Sequence, residues 1–322
     1  MNFGIVGLGY IANKFAKTLN EMNETLYACA SRDINKALEF KNKYNAIKCY
    51  DNYQNLFKDS NVDIVYIATP NRYHFENAVD ALNCGKNVIV EKPFTTNPKD
   101  AKKLYDLAKE KNLFIMEALW PEFFPSSLKL KEIINNKVIG NVKSIKVTYG
   151  SYKDDIALKK YGNNSLGGGA LLDIGIYPLS FVEMIAGSNI KSIKSEHEIG
   201  KYKTDIYSKI NLIYENEISA DILITFKEEL KKEAIIEGDK GSIYIPNHHQ
   251  NEGFIVKVNE KETNYSYPFE INGFEYQIRE AIKSINEKKN ESAIYNSESS
   301  IKLMKLLYDI RSSWNMKFEF EK

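Results

Sequence analysis

Short apolar runs alternate with amphipathic stretches over the first 117 residues. The apolar runs predict strands at 3–6, 26–30, 46–50, 64–68, 87–90 and 114–116. The stretches between them predict helices near 11–22, 34–44, 73–84 and 97–111. Strands that alternate with helices form a parallel sheet with helices on both faces. We therefore predict an α/β fold that begins with a doubly wound parallel sheet of the Rossmann type.

The pattern changes after Pro125. From 190 to 267 the chain reads mostly as strands, and between Ile218 and Phe226 every even position is apolar. This alternation is typical of an antiparallel sheet with one buried face. Helices are predicted near 126–136, 274–288 and 297–315. We expect a Rossmann domain over 1–120 and an α+β domain over 121–322, with a large, open, mostly antiparallel sheet.

The charge and the cysteines limit the functional class. The 322 residues include 44 basic and 43 acidic ones, a net charge of +1, which argues against a nucleic-acid partner. No apolar run approaches the roughly 20 residues that span a bilayer, so no membrane is expected. The three cysteines, Cys29, Cys49 and Cys84, fit neither a disulfide framework nor a zinc site. A cytoplasmic protein is expected.

A glycine motif follows the first predicted strand. Gly7-Leu8-Gly9-Tyr10-Ile11-Ala12 has the form G-x-G-x-x-A and opens the first helix. Gly7 permits a tight turn, Gly9 lets a pyrophosphate approach the backbone, and Ala12 allows close helix packing. The N–H groups at a helix start bind phosphate. Dinucleotide binding by Gly7, Gly9, Tyr10 and Ile11 is the prediction; the alternative is a glycine turn without a ligand.

The end of the second strand selects the cofactor. An NAD-binding fold has an acidic residue there, whereas this chain has Ser31-Arg32-Asp33. A hydroxyl and a guanidinium suit a 2′-phosphate, so Ser31 and Arg32 predict NADP. Asp33 keeps NAD open, but it is equally suited to cap the next helix.

Lys92 follows the strand that ends at Val90, between Glu91 and Pro93. The carboxyl ends of strands in an open α/β sheet face the ligand crevice, which directs Lys92 toward a bound nicotinamide. A further helix is predicted after the glycines at 167–169 and runs to about Ala186; Asp173 and Tyr177, four residues apart, lie on one face of it. A tyrosine moves a proton to or from an alcohol oxygen once an ammonium lowers its pKa from about 10.

Motifs along nearly the whole chain carry a family resemblance. They are the glycine motif, Thr69-Pro70-Asn71, His74, Gly85-Lys86, Glu91-Lys92-Pro93, Met116-Glu117-Ala118-Leu119-Trp120, and the segment from Gly168 to Tyr177. Together they resemble the Gfo/Idh/MocA oxidoreductases, and within them the dimeric dihydrodiol dehydrogenase branch. The resemblance implies that Lys92 and Tyr177 are the catalytic pair and that Asp173 binds substrate or orients the site. It also implies a cofactor side formed by Thr69, Pro70, Asn71, His74 and Glu91, and a substrate pocket lined by Trp120, Asp173 and Tyr177.

One departure concerns the substrate. Glu122 stands where close relatives of that branch are expected to carry an arginine, so a carboxylate replaces a cation near the pocket. The histidines His74, His197, His248 and His249 lack metal-ligand spacing, and no metal is predicted. His248 and His249 follow Pro246 in a polar segment that reads as a solvated turn.

These features predict an NAD(P)-dependent dehydrogenase that acts on a secondary alcohol of a sugar, polyol or trans-dihydrodiol. The competing hypothesis is a sensor of the same fold that binds NAD(P) without turnover. The presence of both Lys92 and Tyr177 favours the enzyme. A homodimer formed through the open sheet is also expected.

Overall fold

The computed structural model describes residues 1–321, which divide into two compact units. The first unit comprises Met1–Trp120 and Glu270–Met304, and the second comprises Pro121–Phe269 and the residues from Lys305 onward. The predicted second domain, 121–322, included residues 270–304. That segment belongs to the first unit because its apolar side packs there: the Phe274 ring lies edge-on to Phe15, with 6.5 Å between ring centroids.

A parallel sheet forms the centre of the first unit, as predicted. Its strands, in chain order, are β1 (Asn2–Val6), β2 (Thr25–Ala30), β3 (Lys48–Tyr50), β4 (Ile64–Ile67), β5 (Asn87–Glu91) and β6 (Ile115–Ala118). The spatial order is β3-β2-β1-β4-β5-β6. The order reverses between β1 and β4, and ligands bind such folds in the crevice outside the carboxyl ends of the strands at this switch point.

The second unit contains an eight-stranded mixed sheet. Its strands are β7 (Val142–Gly150), β8 (Ile190–Ile199), β9 (Asp205–Tyr214), β10 (Ser219–Thr225), β11 (Ala234–Gly238), β12 (Gly241–Ile245), β13 (Gly253–Val258) and β14 (Lys261–Ser266). The order is β14-β13-β12-β11-β7-β10-β9-β8. All neighbours run antiparallel except β7 and β10, which are parallel. The even apolar positions predicted in β10 face the core, as Ala220, Ile222 and Ile224 are buried.

The helices match the predicted amphipathic stretches, with two additions. They are α1 (Tyr10–Glu21), α2 (Ile34–Tyr44), α3 (Tyr53–Lys58), α4 (His74–Asn83), α5 (Pro98–Lys111), α6 (Pro125–Asn135), α7 (Asp155–Tyr161), α8 (Ile176–Ala186), α9 (Phe274–Asn286) and α10 (Ser297–Ser313). The short helices α3 and α7 were not predicted. Each has fewer than two full turns, too few for a 3.6-residue periodicity to stand out.

Among residues 1–321, no single helix is long and apolar enough to cross a bilayer. One pair of segments, Asp155–Leu166 and Leu171–Ala186, has the length and composition when taken together, but it bends by 90° at the break.

Candidate active site

The glycine loop between β1 and α1 has the shape that a dinucleotide requires. Gly7 has a φ of +83°, and a Cβ there would lie 2.5 Å from the backbone of Ala68. At Gly9 a Cβ would meet nothing within 4 Å, so the space above the loop is open. The N-terminus of α1 begins at Tyr10, directly after this open position. The first unit therefore fits a phosphate-bearing nucleotide at this loop.

Two side chains beyond the loop have contrasting environments. Tyr10, the first residue of α1, is 76% exposed. Asn13 is tied down, because its amide donates to the Gly9 carbonyl at 2.7 Å while its oxygen accepts from the Tyr44 hydroxyl at 2.8 Å. Asn13 thus fixes the loop to α2 and leaves the Tyr10 ring outside.

The end of β2 carries the residues that were predicted to select the cofactor. Asp33 is the N-cap of α2, and its carboxylate accepts from the Asn35 N–H at 3.0 Å. The Ser31 hydroxyl accepts from the Asp33 N–H at 3.2 Å. Arg32 is exposed. The capping role considered for Asp33 is therefore confirmed, and the contacts of Ser31 and Arg32 with a cofactor stay a prediction.

His74 lies deeper than a ligand-binding residue would. Its ring is buried, with Nδ1 2.8 Å from the Pro93 carbonyl and Nε2 2.8 Å from the Thr69 carbonyl. Burial, assisted by Lys92, lowers the pKa of His74 to about 4, although both carbonyls favour the charged ring. Both ring nitrogens are engaged by backbone, so this histidine joins the loop after β4 to the loop after β5. Its predicted place on the cofactor side of the site stays a prediction.

The loop after β5 carries Lys92 between buried neighbours. The Glu91 carboxylate is buried and accepts a hydrogen bond from the Tyr66 hydroxyl. Burial raises the pKa of Glu91 to about 7, opposed by that hydrogen bond and by Lys92. Lys92 is half-buried, and its peptide bond to Pro93 is cis. Of the predicted cofactor-side residues, Thr69 lies two residues after the end of β4, and Asn71 begins the short 3-10 turn Asn71–Tyr73 that follows.

Trp120 ends the first segment of the first unit. Its ring packs against Phe274, with 4.9 Å between centroids, and the Lys14 ammonium lies 4.2 Å from the indole centroid. Burial lowers the pKa of Lys14, opposed by Glu275 and Glu91. Trp120 therefore has a packing role within this unit, and its predicted role in the substrate pocket stays a prediction.

The prediction that Asp173 and Tyr177 share one regular α-helix is wrong. Residues Leu171–Gly175 form a π-helical turn, and α8 begins only at Ile176. Pro178 gives the reason, because it lacks an N–H for the Ile174 carbonyl and its ring would clash with that carbonyl in an α-helix. A wider turn relieves both problems, and such turns occur often at functional sites.

A buried carboxylate anchors the start of this π turn. Asp205 accepts from the Leu171 N–H at 2.7 Å and from the Ser208 hydroxyl at 3.1 Å. Gly169 has a φ of +122°, and a Cβ there would lie 2.4 Å from Asp205 Oδ1. Burial raises the pKa of Asp205 to about 7, against the opposing effect of its hydrogen bonds. The glycine cluster is thus needed to let Asp205 reach the turn.

Aromatic rings surround Tyr177, whose side chain is 8% exposed. The His249 ring stands edge-on to it at 4.3 Å between centroids, and the Tyr149 ring lies 6.0 Å from it. Burial raises the pKa of Tyr149, and its neighbours Tyr177 and Asp173 raise it further. Tyr177, His249, Tyr149 and Asp173 form one cluster in the second unit, the Tyr177 cluster.

The prediction that His248 and His249 form a solvated turn is wrong. His248 is buried, with Nε2 3.2 Å from the Thr148 carbonyl, and burial lowers its pKa to about 4. Within residues 1–321 its Nδ1 has no hydrogen-bond partner. The polar residues around Pro246 suggested exposure, but His248 packs against the sheet through its contact with the Thr148 carbonyl of β7. Tyr149, near the end of β7, was not identified from the sequence as part of the site.

Glu122, in the second unit, has a buried carboxyl group that contacts Ser180 of α8. It accepts from the Ser180 hydroxyl at 2.5 Å, and burial raises its pKa. Ser180 lies three residues after Tyr177, so the carboxyl braces the helix that carries the tyrosine. The expected influence of Glu122 on substrate binding stays a prediction.

Comparison with known proteins agrees with this geometry. Residues 1–119 match the oxidoreductase family with an NAD-binding Rossmann fold, and residues 127–244 match the Gfo/Idh/MocA C-terminal domain. The trans-1,2-dihydrobenzene-1,2-diol dehydrogenase of Xenopus tropicalis is 34% identical over 272 residues, covering 83% of this chain and 81% of the relative. The chain belongs to the Gfo/Idh/MocA oxidoreductase family. It is an NAD(P)-dependent oxidoreductase, as predicted.

Solved structures share the fold at lower identity. A 3-ketoreductase from Actinomadura kijaniata, solved with NADP and TDP-benzene, has a TM-score of 0.87 at 21% identity and 97% coverage of both chains. A levoglucosan dehydrogenase, solved with NADH and levoglucosan, has a TM-score of 0.85 at 19% identity and 98% coverage of both chains. One protein of this fold was thus solved with NADP and another with NADH.

The raised pKa of Asp205 predicts a pH-dependent stability. The folded-state pKa of about 7 lies above the ordinary value of about 4, so the stability this group contributes is complete below about pH 4 and is lost as the pH rises through 7. Asp205→Asn should remove that loss. The difference in melting temperature, wild type minus variant, should fall between about pH 4 and pH 7 in thermal denaturation.

Asp155→Asn is the matched control, since the pKa of the exposed Asp155 is lowered by its hydrogen bonds to Lys201 and Tyr202. Its difference curve should be nearly flat or slope the other way. A difference curve for Asp205→Asn that rises with pH would contradict the assignment.

Proposed function

We propose that this chain catalyses reversible oxidation of a secondary alcohol in a sugar, polyol or trans-dihydrodiol, with NADP preferred to NAD. The observation that carries the proposal is the loop after β5. It brings a half-buried lysine to the carboxyl end of a strand beside the switch point, between a buried carboxylate and a proline held by His74. An ammonium at that edge of a Rossmann sheet is suited to an oxygen of a substrate bound next to the nicotinamide.

Tyr177 is the proposed proton carrier. A phenol has an ordinary pKa of about 10, so near neutrality it acts as an acid unless a cation stabilises the phenolate. In the proposed oxidation the substrate O–H proton passes to Tyr177 while the adjacent C–H bond breaks and the C–O bond becomes C=O. When bound, a nicotinamide nucleotide accepts the hydride and returns it in the reverse reaction. In this proposal the Lys92 ammonium lowers the pKa of the Tyr177 hydroxyl and donates a hydrogen bond to the substrate oxygen that loses the proton.

Support for the substrate class comes from the Tyr177 cluster and from the relatives. Tyr149 and His249 offer ring faces and edges beside Tyr177, and such surfaces suit the apolar face of a sugar or a cyclic diol. The relative from Xenopus tropicalis is named for a dihydrodiol, and one structural neighbour was solved with levoglucosan. Asp173 is the proposed partner for a second hydroxyl of the substrate.

Assembly and location complete the proposal. On the face of the sheet opposite its buried side, Ile235, Tyr244 and Ile255 lie side by side in register on three adjacent strands, with Leu223 nearby on β10. A half-exposed apolar row of this kind favours a second copy of the chain as its cover. We propose a homodimer through this face. All three cysteines are free thiols, which is consistent with the proposed cytoplasmic location.

The first prediction tests the chemistry. Tyr177→Phe removes only the hydroxyl, so NADP binding should survive while turnover of a verified alcohol falls by roughly 10²–10⁴-fold, followed by absorbance of the reduced cofactor. Lys92→Ala should cause a similar loss, and the double variant should lose less than the sum, because the two act as a unit.

Tyr214→Phe, which removes another buried hydroxyl of the second unit, serves as the control and should keep its turnover. Wild-type turnover by Tyr177→Phe would disprove the assignment. Tight NADP binding by the wild type with no turnover of any sugar, polyol or diol would favour the sensor hypothesis instead.

The second prediction concerns cofactor choice. Hydrogen bonds to charged groups contribute about 1.5–3 kcal/mol, so Arg32→Ala should weaken NADP binding by roughly 10–150-fold and leave NAD binding nearly unchanged. Isothermal titration with both cofactors measures this. Lys36→Ala removes another exposed cation from α2 and should affect neither cofactor. Equal losses for NADP and NAD in Arg32→Ala would refute the 2′-phosphate contact.

The third prediction concerns assembly. The wild type should have a dimeric mass by light scattering at micromolar concentration. Ile235→Arg places a charge in the middle of the proposed interface and should yield monomers, because an unpaired buried charge is strongly unfavourable. The exposed Lys283→Ala variant should stay dimeric. A monomeric wild type at that concentration would exclude this interface.

A further inference from the structure

Glu117 is a fully buried carboxylate next to the loop that carries Lys92. It lies in β6, in register with Val90 of β5, just before β5 ends. Its Oε1 accepts from the Phe94 N–H at 3.0 Å. Its Oε2 accepts from the Ser300 hydroxyl at 2.6 Å. The carboxylate therefore grips the backbone two residues beyond Lys92.

Both carboxyl oxygens of Glu117 have a hydrogen-bond donor, the Phe94 N–H on one side and the Ser300 hydroxyl on the other. Burying a carboxyl group is unfavourable even when it is hydrogen-bonded, and an apolar residue of similar volume would often be at least as stable there. A glutamate at this position is thus better suited to geometry than to stability.

Glu117 completes a set of three buried side chains around Lys92. Tyr66 holds the Glu91 side chain, His74 holds the Pro93 carbonyl, and Glu117 holds the Phe94 N–H. The three come from β4, α4 and β6. Of these, Glu117 engages the last backbone group, so without it the chain beyond Lys92 has lost its anchor on the β6 side.

We propose that Glu117 is a positioning residue that fixes the Lys92 ammonium for proton and hydride transfer by anchoring the Phe94 N–H. The inference rests on the proposed function of Lys92. Ser300, from the segment that returns to the first unit, donates to the other carboxyl oxygen, which the Phe94 contact does not use.

Glu117→Ala removes the anchor, and Ser300→Ala is the matched control, since it empties the same cluster but leaves the Phe94 contact in place. A displacement of about 1 Å at a catalytic group can cost about 100-fold in rate. Glu117→Ala should therefore lose about 100-fold in kcat, with NADP affinity within about threefold of wild type. Ser300→Ala should keep kcat within about threefold. Equal losses of kcat in both variants would overturn the proposal, because general packing would then explain them.

The pH profile separates positioning from a structural role. In the oxidation direction kcat rises with pH as Tyr177 loses its proton, and a nearby ammonium lowers that pKa. Glu117→Ala should move the rise to higher pH by about one unit, in the same direction as Lys92→Ala. Ser300→Ala should leave the profile in place. An unshifted profile in Glu117→Ala would also overturn the proposal.

Two further variants keep the test decisive. Glu117→Gln retains an acceptor for the Phe94 N–H and should recover most of the lost kcat. If Glu117→Ala does not fold, Glu117→Asp carries the test, because it keeps the charge and shortens the reach; it should lose about tenfold in kcat with the same direction of pH shift. Wild-type turnover by Lys92→Ala would mean that the proposed function itself has failed. Loss of turnover in Lys92→Ala, with wild-type kcat in Glu117→Asp, would refute only the role of Glu117.

Discussion

The structure depends on one constraint: a lysine at the end of a buried strand must keep its place although the residues around it leave the sheet. The parallel ladder no longer supports the backbone after Glu91, and buried side chains take over, with Tyr66, His74 and Glu117 each engaging one of the next groups along the chain. Two of the groups involved, Glu91 and His74, have pKa values displaced by burial. Buried polar groups of this kind are tolerated where each is satisfied, and they then hold a single geometry.

The second unit solves a matching problem for Tyr177 by a different route. Pro178 prevents a regular α-helix from extending back beyond Ile176, and Asp205 anchors the resulting π turn by accepting from the Leu171 N–H. Gly169 and Gly175 allow this because a side chain at either position would collide with Asp205 or with Ile224 of the sheet. The glycines before Tyr177 and the proline after it therefore determine the π turn that positions this tyrosine.

Local patterns were enough to predict the parallel sheet and the strand-rich character of the second unit. Six apolar runs became β1 to β6, and the alternation between Ile218 and Phe226 became β10. What the patterns missed depends on contacts between distant residues. Nothing local marks 270–304 as part of the first unit, because its apolar face would suit any partner. His248 looked solvated for the same reason: its neighbours along the chain are polar, whereas its neighbours in space are Tyr149 and Phe181.

The central claim is that Lys92 and Tyr177 act on one substrate oxygen. The most direct measurement is a crystal structure of the protein with NADP and an alcohol that it oxidises. The account predicts that the reacting oxygen lies within hydrogen-bond distance, about 2.6–3.2 Å, of both the Lys92 Nζ and the Tyr177 hydroxyl. An oxygen held by other donors, with either Lys92 or Tyr177 turned away from it, would contradict the account.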